Sequence, residues 1–99
     1  MKAFLICAAG GPLVILTSHK SVTDATLLDK LAGKGIEKFI AFEVPLETAK
    51  ERYGAHFAVV EHDLRETDDL RILDYNGQRA FGLFPFNELS APILYEGTD

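Results

Sequence analysis

Four side chains with acid–base or metal-ligating chemistry follow segments that have the composition of β-strands. They are His19, Glu43, His62 and Asp63. If those strands are parallel, their carboxyl ends share one rim of the sheet, and ligands bind at such rims in open α/β folds. Two imidazoles and two carboxylates on one rim would hold a divalent metal or transfer protons near neutral pH. The sequence therefore offers these four residues as a candidate catalytic set.

The same rim would receive the N-termini of two predicted helices, near Ser21 and Pro45. Helix N-termini carry partial positive charge and favour anionic ligands. However, the chain contains no H-E-x-x-H, paired C-x-x-C, phosphate-loop or G-x-S-x-G pattern. Loops that follow strands are usually polar in any protein, so polar residues there are weak evidence for a site. A small-ligand or metal-binding enzyme is therefore the alternative interpretation, and the leading one assigns no catalytic residue, cofactor or metal.

Composition and charge restrict the functional classes further. The 99 residues suit a single domain spanning 1–99, and the net charge of −5 with scattered Lys and Arg argues against nucleic-acid binding. The only cysteine, Cys7, lies in an apolar run and is expected to be a small buried hydrophobe. Gly10, Gly11 and Pro12 interrupt the apolar N-terminal segment, so it fits neither a signal peptide nor a membrane span. We expect a cytoplasmic protein that does not contact membranes.

The elements that must position these residues begin with an N-terminal hairpin. Residues 3–8 and 13–18 are rich in strand formers. A two-residue Gly-Gly loop would put Pro12 where a backbone donor is needed, so we expect a four-residue loop that places Ala8 opposite Leu13. Both faces of this hairpin are apolar, which is typical of strands in the middle of a sheet covered on both sides.

The central part of the chain alternates between strand and helix patterns. A helix is predicted within 21–35, a strand at 36–43, a short helix opened by Pro45 and ended by Gly54, and another strand at 55–61. This order is the βαβαβ pattern of parallel strands joined by crossover helices.

The C-terminal part contains the dipeptide Asn76-Gly77, the strongest short-range signal for a tight hairpin. We therefore predict two strands within 70–86 and a short edge strand in the tail. The predicted fold class is α/β (α+β), with a mixed sheet of five to six strands, an N-terminal hairpin, the central βαβαβ, the C-terminal hairpin and two short helices.

The predicted strands are apolar on both sides, yet two crossovers in one direction would place both helices on the same face. We expect a second copy of the chain to cover the other face in a homodimer. The expected interface residues are Leu73, Tyr75, Phe84 and Phe86. Two alternatives remain open. A reversal of strand order would put one helix on each face and give a self-sufficient monomer, or the sheet could roll toward a barrel with the tail as a plug. The sequence thus favours a non-enzymatic protein that acts through protein–protein contacts.

Overall fold

The structure, a computed structural model, describes residues 1–67 and 69–96. It contains five strands and four helices within these residues. The strands are β1 (Lys2–Ala8), β2 (Gly11–Thr17), β3 (Phe39–Val44), β4 (Leu70–Asp74) and β5 (Ile93–Tyr95). The helices are α1 (Ala25–Gly33), α2 (Leu46–Tyr53), α3 (Ala55–Thr67) and α4 (Gly77–Leu83), and a 3-10 turn follows at Phe86–Glu88. None of the described helices is long and apolar enough to cross a membrane.

The five strands form one sheet in the order β4-β2-β1-β3-β5, and every neighbouring pair is antiparallel. The predicted parallel βαβαβ arrangement is therefore wrong. β2 and β3 do run in the same direction, but β1 lies between them and pairs with both. The connection from β2 to β3 therefore crosses β1 in one direction, and the connection from β3 to β4 returns in the other. These two connections lie on opposite faces of the sheet.

The N-terminal hairpin is present with a tighter turn than predicted. Ala8 lies opposite Gly11 rather than Leu13, so the loop has two residues and Gly11 adopts a φ of 110°. Pro12 lies opposite Cys7 of β1, but β4 pairs with β2 only from Val14 onward. The side of Pro12 that faces away from β1 therefore has no partner strand that would need a backbone donor. The register differs from the prediction by two residues, and an even shift keeps each side chain on its predicted face.

The first two helices follow their sequence signals. Asp24 caps α1 by accepting a hydrogen bond from the backbone N–H of Thr26 at 3.0 Å, and Leu27 and Leu31 face the core. Pro45 precedes α2, which buries Ala49 and Tyr53. Gly35 and Gly54 follow the two helices with positive φ angles of 84° and 55°, as helix-terminating glycines do.

The segment 55–61 is helical, which corrects the predicted strand there. It forms the first half of α3, and the charged segment that follows continues the same helix. The buried side chains are Phe57, Val60 and Leu64, spaced three and four residues apart as on one helix face. In a strand buried on both faces, Val59 and Val60 would both be covered. Val59 is instead 57% exposed.

The predicted C-terminal hairpin is also wrong, because Asn76-Gly77 begins helix α4 rather than a turn between strands. Gly77 has no positive φ. Its glycine identity has a different cause: a Cβ at this position would lie 2.5 Å from Pro12 Cβ and 2.6 Å from the Pro12 carbonyl carbon. The start of α4 thus packs directly on the β2 backbone, and only glycine leaves room for that contact.

Helices cover both faces of the sheet. Helix α1 packs on one face with a core that includes Phe4, Ile6 and Ile15, whereas α2, α3 and α4 pack on the other with a core that includes Leu5 and Leu16. This corresponds to the alternative in which the strand order reverses. The premise that both predicted helices share one face, on which the dimer expectation was built, is therefore wrong.

Candidate functional site

The contacts of the four candidate catalytic residues fall into three separate groups, around Glu43, around His19, and between His62 and Asp63. Glu43 Oε1 accepts a hydrogen bond from Lys2 Nζ at 2.9 Å. His62 lies on α3 beside Asp63, with 3.8 Å between Nδ1 and Oδ1, and both side chains are mostly exposed. Among the described residues, no group of three or more His, Cys, Asp or Glu side chains could hold a metal ion.

His19 belongs to a local cluster with two carboxylates. Its Nδ1 lies 3.4 Å from Asp24 Oδ1, and its Nε2 lies 3.6 Å from Asp69 Oδ2. Lys30 Nζ also approaches Asp69 Oδ2, at 3.4 Å. These distances exceed those of good N–H···O hydrogen bonds, so the contacts are ion pairs that operate when the imidazole is protonated.

The loop backbone fixes the position of this His19 cluster. Thr17 Oγ1 donates a hydrogen bond to the Asp69 carbonyl at 2.7 Å and accepts one from the His19 backbone N–H at 3.1 Å. The cluster therefore fastens the end of β2 to the start of β4. The sequence pattern does not bring Asp69 next to His19, because the β2–β4 pairing is not among the predicted strand pairs.

The four predicted interface residues fall into two classes. Leu73 and Phe84 are 2% and 0% exposed, and both are buried by the same polypeptide in the core beneath α2, α3 and α4. Tyr75 and Phe86 are 81% and 70% exposed. Only the second pair is available for contact with another molecule.

Phe86 lies in an exposed aromatic group. Its ring centroid is 5.8 Å from that of Phe81 and 6.1 Å from that of Phe42, the latter in an edge-on arrangement. Phe81 and Phe42 are themselves only partly buried. The 3-10 turn therefore holds an aromatic ring on the outside of the fold, where two further rings support its position.

The aromatic group continues along the sheet onto β1, β3 and β5. Ile40 lies two residues before Phe42 on the same face of β3, opposite Cys7 on one side and Leu94 on the other. Ile40 is 42% exposed and Leu94 is 62% exposed. We call this continuous surface the apolar patch; its members are Cys7, Ile40, Phe42, Phe81, Phe86 and Leu94.

The patch exists because the helices on this face do not extend over the whole sheet. Helices α2, α3 and α4 pack over the part of the face formed by β1, β2 and β4, whereas the end of β3 next to β5 lies beyond them. Partial burial there raises the pKa of the Cys7 thiol, because desolvation disfavours the thiolate. Cys7 is consequently a weakly reactive member of the patch.

The two edges of the sheet differ in how they are protected. Along β4, the charged residues Lys34, Asp63 and Arg71 line a shallow groove, and charges at a strand edge discourage pairing with another chain. β5 is the outer strand at the other edge, and its sequence Ile93–Tyr95 contains no charge. The edge strand without charged residues is the one that borders the apolar patch.

A polar contact stabilises the opposite end of the same core. The Tyr53 hydroxyl donates a hydrogen bond to Asp74 Oδ2 at 3.0 Å, and Asp74 Oδ1 accepts one from the Asn76 backbone N–H at 2.9 Å. Burial, together with the hydrogen bond to Asp74, raises the pKa of Tyr53. Arg79 lies over the Tyr53 ring, 5.4 Å from its centroid. These contacts join α2, β4 and α4 and have a structural role.

Comparisons of the chain with protein-family models, with curated proteins and with solved structures found no match.

Proposed function

We propose that this chain is a small cytoplasmic protein that acts through protein–protein contacts and forms a homodimer through the apolar patch. The observation that carries the proposal is the exposure of Ile40, Phe86 and Leu94 side by side on a fold whose remaining sheet faces are packed. Patches of this kind on small proteins are usually interaction sites. The proposed interface keeps only Phe86 of the four residues predicted from sequence. Leu73 and Phe84 are buried, Tyr75 lies outside the patch, and residues of β1, β3, α4 and β5 take their place.

The size of the patch suits a weak or moderate dimer. Its six side chains expose on the order of 300 Å² of apolar surface, and covering this area on two copies yields about 15 kcal/mol at about 25 cal/mol per Å². Association costs about 4–15 kcal/mol in lost translational and rotational freedom. The patch is therefore sufficient as the centre of an interface, provided that a polar rim adds to it.

The residues around the patch favour a second copy as the partner. Lys38 and Glu96 line the groove at the end of β3 and β5 together with Ile40 and Leu94. In a two-fold symmetric contact, Lys38 of each copy would approach Glu96 of the other. An apolar centre with rim charges of both signs is self-complementary, as an isologous interface requires.

A pair of matched lysine substitutions tests the proposal. Leu94→Lys places a charge within the patch, whereas Val59→Lys places one on α3 at a residue of similar exposure, 57% against 62%. We expect light scattering of concentrated samples to show dimers for the wild type and for Val59→Lys, and monomers for Leu94→Lys. Equal masses for the two variants would show that the patch is not the interface.

A further inference from the structure

A second surface feature lies on the opposite face of the sheet, away from the apolar patch. It is a cleft of about 390 Å³ between the turn that joins β1 and β2, the segment that follows α1, and the end of β4. Its volume lies within the range of small-molecule sites. The proposed dimer does not use this cleft.

The walls of the cleft have one apolar part and one polar part. Leu13, Ile36 and Ile72 supply branched aliphatic surface. Tyr75 and Lys34 also line the cleft and carry its polar side-chain groups, and Lys34 is the one charged residue among those that line it. Within the described residues, Lys34 forms no ion pair.

Lys34 lines this cleft and two further depressions of the surface. The adjoining groove along β4 contains Asp63 and Arg71, whose charges have opposite sign and offset each other near Lys34. The lining of the cleft therefore carries one positive charge and no negative one, although the whole chain carries a net charge of −5. A positively charged site attracts anions rather than cations, even on a protein whose net charge is negative.

We infer that this cleft binds a small organic monoanion with a flat or branched apolar body. Its carboxylate would pair with Lys34, its apolar body would lie against Leu13, Ile36 and Ile72, and the Tyr75 hydroxyl would donate a second hydrogen bond to the carboxylate. A few polar groups on a mainly apolar wall are the usual composition of such sites.

Glycines in the wall provide a way to test the site without disturbing the fold. Gly11 and Gly35 need their positive φ angles of 110° and 84° for the chain to turn. Gly10 has no positive φ, and a Cβ built there meets no atom within 4 Å. Gly10→Val therefore adds bulk at the cleft while leaving the backbone conformation available.

The experiment uses three probes with one aromatic body and different charge: 2-naphthoate, 2-naphthamide and 2-naphthylmethylamine. Amide chemical shifts of the ¹⁵N-labelled protein report where each probe binds. We expect 2-naphthoate to shift the amides of Gly10, Gly11 and Gly35, and to bind about twofold to fivefold more tightly than 2-naphthamide, the gain typical of an exposed ion pair.

Variants locate the site and its charge requirement. Lys34→Met should remove the preference for 2-naphthoate, and Gly10→Val should weaken the binding of all three probes. Lys20→Met, at an exposed lysine beyond the end of β2 that lies away from the cleft, should change neither. Any one of three results would overturn the inference. The first is the absence of shifts at the three glycines, and the second is equal binding of the amine and the acid. The third is an unchanged preference for 2-naphthoate in Lys34→Met. Because the cleft and the apolar patch lie on different faces, these outcomes do not depend on whether the protein dimerises.

Discussion

Replacing Gly77 by alanine tests the C-terminal architecture most sharply, because the structure and the sequence pattern give this glycine different roles. In the structure it is the first residue of α4 and lies against Pro12. In a tight Asn-Gly hairpin it would be a turn residue with positive φ. The substitution adds a single methyl group at the point where β2 and α4 meet.

The expected cost follows from three close distances. The new Cβ would lie 2.5 Å from Pro12 Cβ, 2.6 Å from the Pro12 carbonyl carbon and 2.9 Å from the Leu13 nitrogen. Favourable carbon–carbon contacts begin at about 3.5 Å, so α4 must move away from β2 by roughly 1 Å. Overpacking of this kind costs about 1–3 kcal/mol, and two of the atoms belong to the backbone and cannot rotate aside. The helix-propensity gain of alanine offsets up to about 1 kcal/mol, which leaves a loss of about 0–2 kcal/mol at full offset and about 1–3 kcal/mol at none.

Urea unfolding monitored by circular dichroism measures this loss, and Gly82→Ala in the same helix provides the matched control. A Cβ at Gly82 meets nothing within 4 Å, so that variant should be unchanged or more stable by up to about 1 kcal/mol. Gly77→Asn separates the two roles further, since a tight hairpin turn accepts asparagine at this position whereas the contact with Pro12 does not. A Gly77→Asn protein as stable as the wild type would refute the packing of α4 on β2.

Two further outcomes follow from the site geometry. Tyr53→Phe removes the hydrogen bond to Asp74 and should lower the free energy of unfolding by about 1–3 kcal/mol at pH 7, whereas Tyr75→Phe, at an exposed side chain, should have little effect. Because the folded state raises the pKa of Tyr53, the unfolded chain loses this proton first. Wild-type stability should therefore be retained below about pH 10 and fall as the pH rises further, and urea titrations should show a smaller fall for Tyr53→Phe. Burial likewise raises the pKa of the Cys7 thiol, so alkylation by iodoacetamide at pH 8 should be slower than for a free cysteine peptide. Since Cys7 lies in the patch, alkylation should slow further as the protein concentration rises, and a rate independent of concentration would count against burial of Cys7 in the dimer.

The sequence predicts the parts of the fold in which local signals and tertiary packing agree. The Pro45 start, the Gly54 end and the buried Ala49 and Tyr53 define α2 as observed. Segment 55–61 shows the opposite case, because its β-branched residues favour a strand while the spacing of Phe57, Val60 and Leu64 fits a helix. A helix forms because it packs these three side chains together on the sheet. The spacing was available in the sequence, and it outweighs β-propensity when it continues over two turns.

The Asn76-Gly77 signal fails for a different physical reason. Glycine meets two unrelated needs, positive φ and close approach of two backbones. A sequence shows that a glycine is present without showing which need it meets. Here the need is approach to Pro12, a residue far away in the chain, so only the three-dimensional arrangement distinguishes the two.

The candidate surface was foreseen in part. Phe86 belongs both to the interface predicted from sequence and to the apolar patch, and it is exposed. That a partner covers this surface stays a prediction. The surface lies at β3 and β5 because of the strand order. The order of the strands along the chain does not determine their order in the sheet. Leu73 and Phe84 were assigned to the interface because α3 and α4 were taken for strands, and those helices bury both side chains.

Sedimentation equilibrium of the wild-type protein over a wide range of concentrations tests self-association through the apolar patch most directly. We expect the weight-average mass to rise from the monomer value of 10.9 kDa at low concentration toward twice that value at high concentration. A mass that stays at the monomer value up to the highest soluble concentration would contradict the account, since the exposed face of β3 and β5 would then have no second copy to cover it.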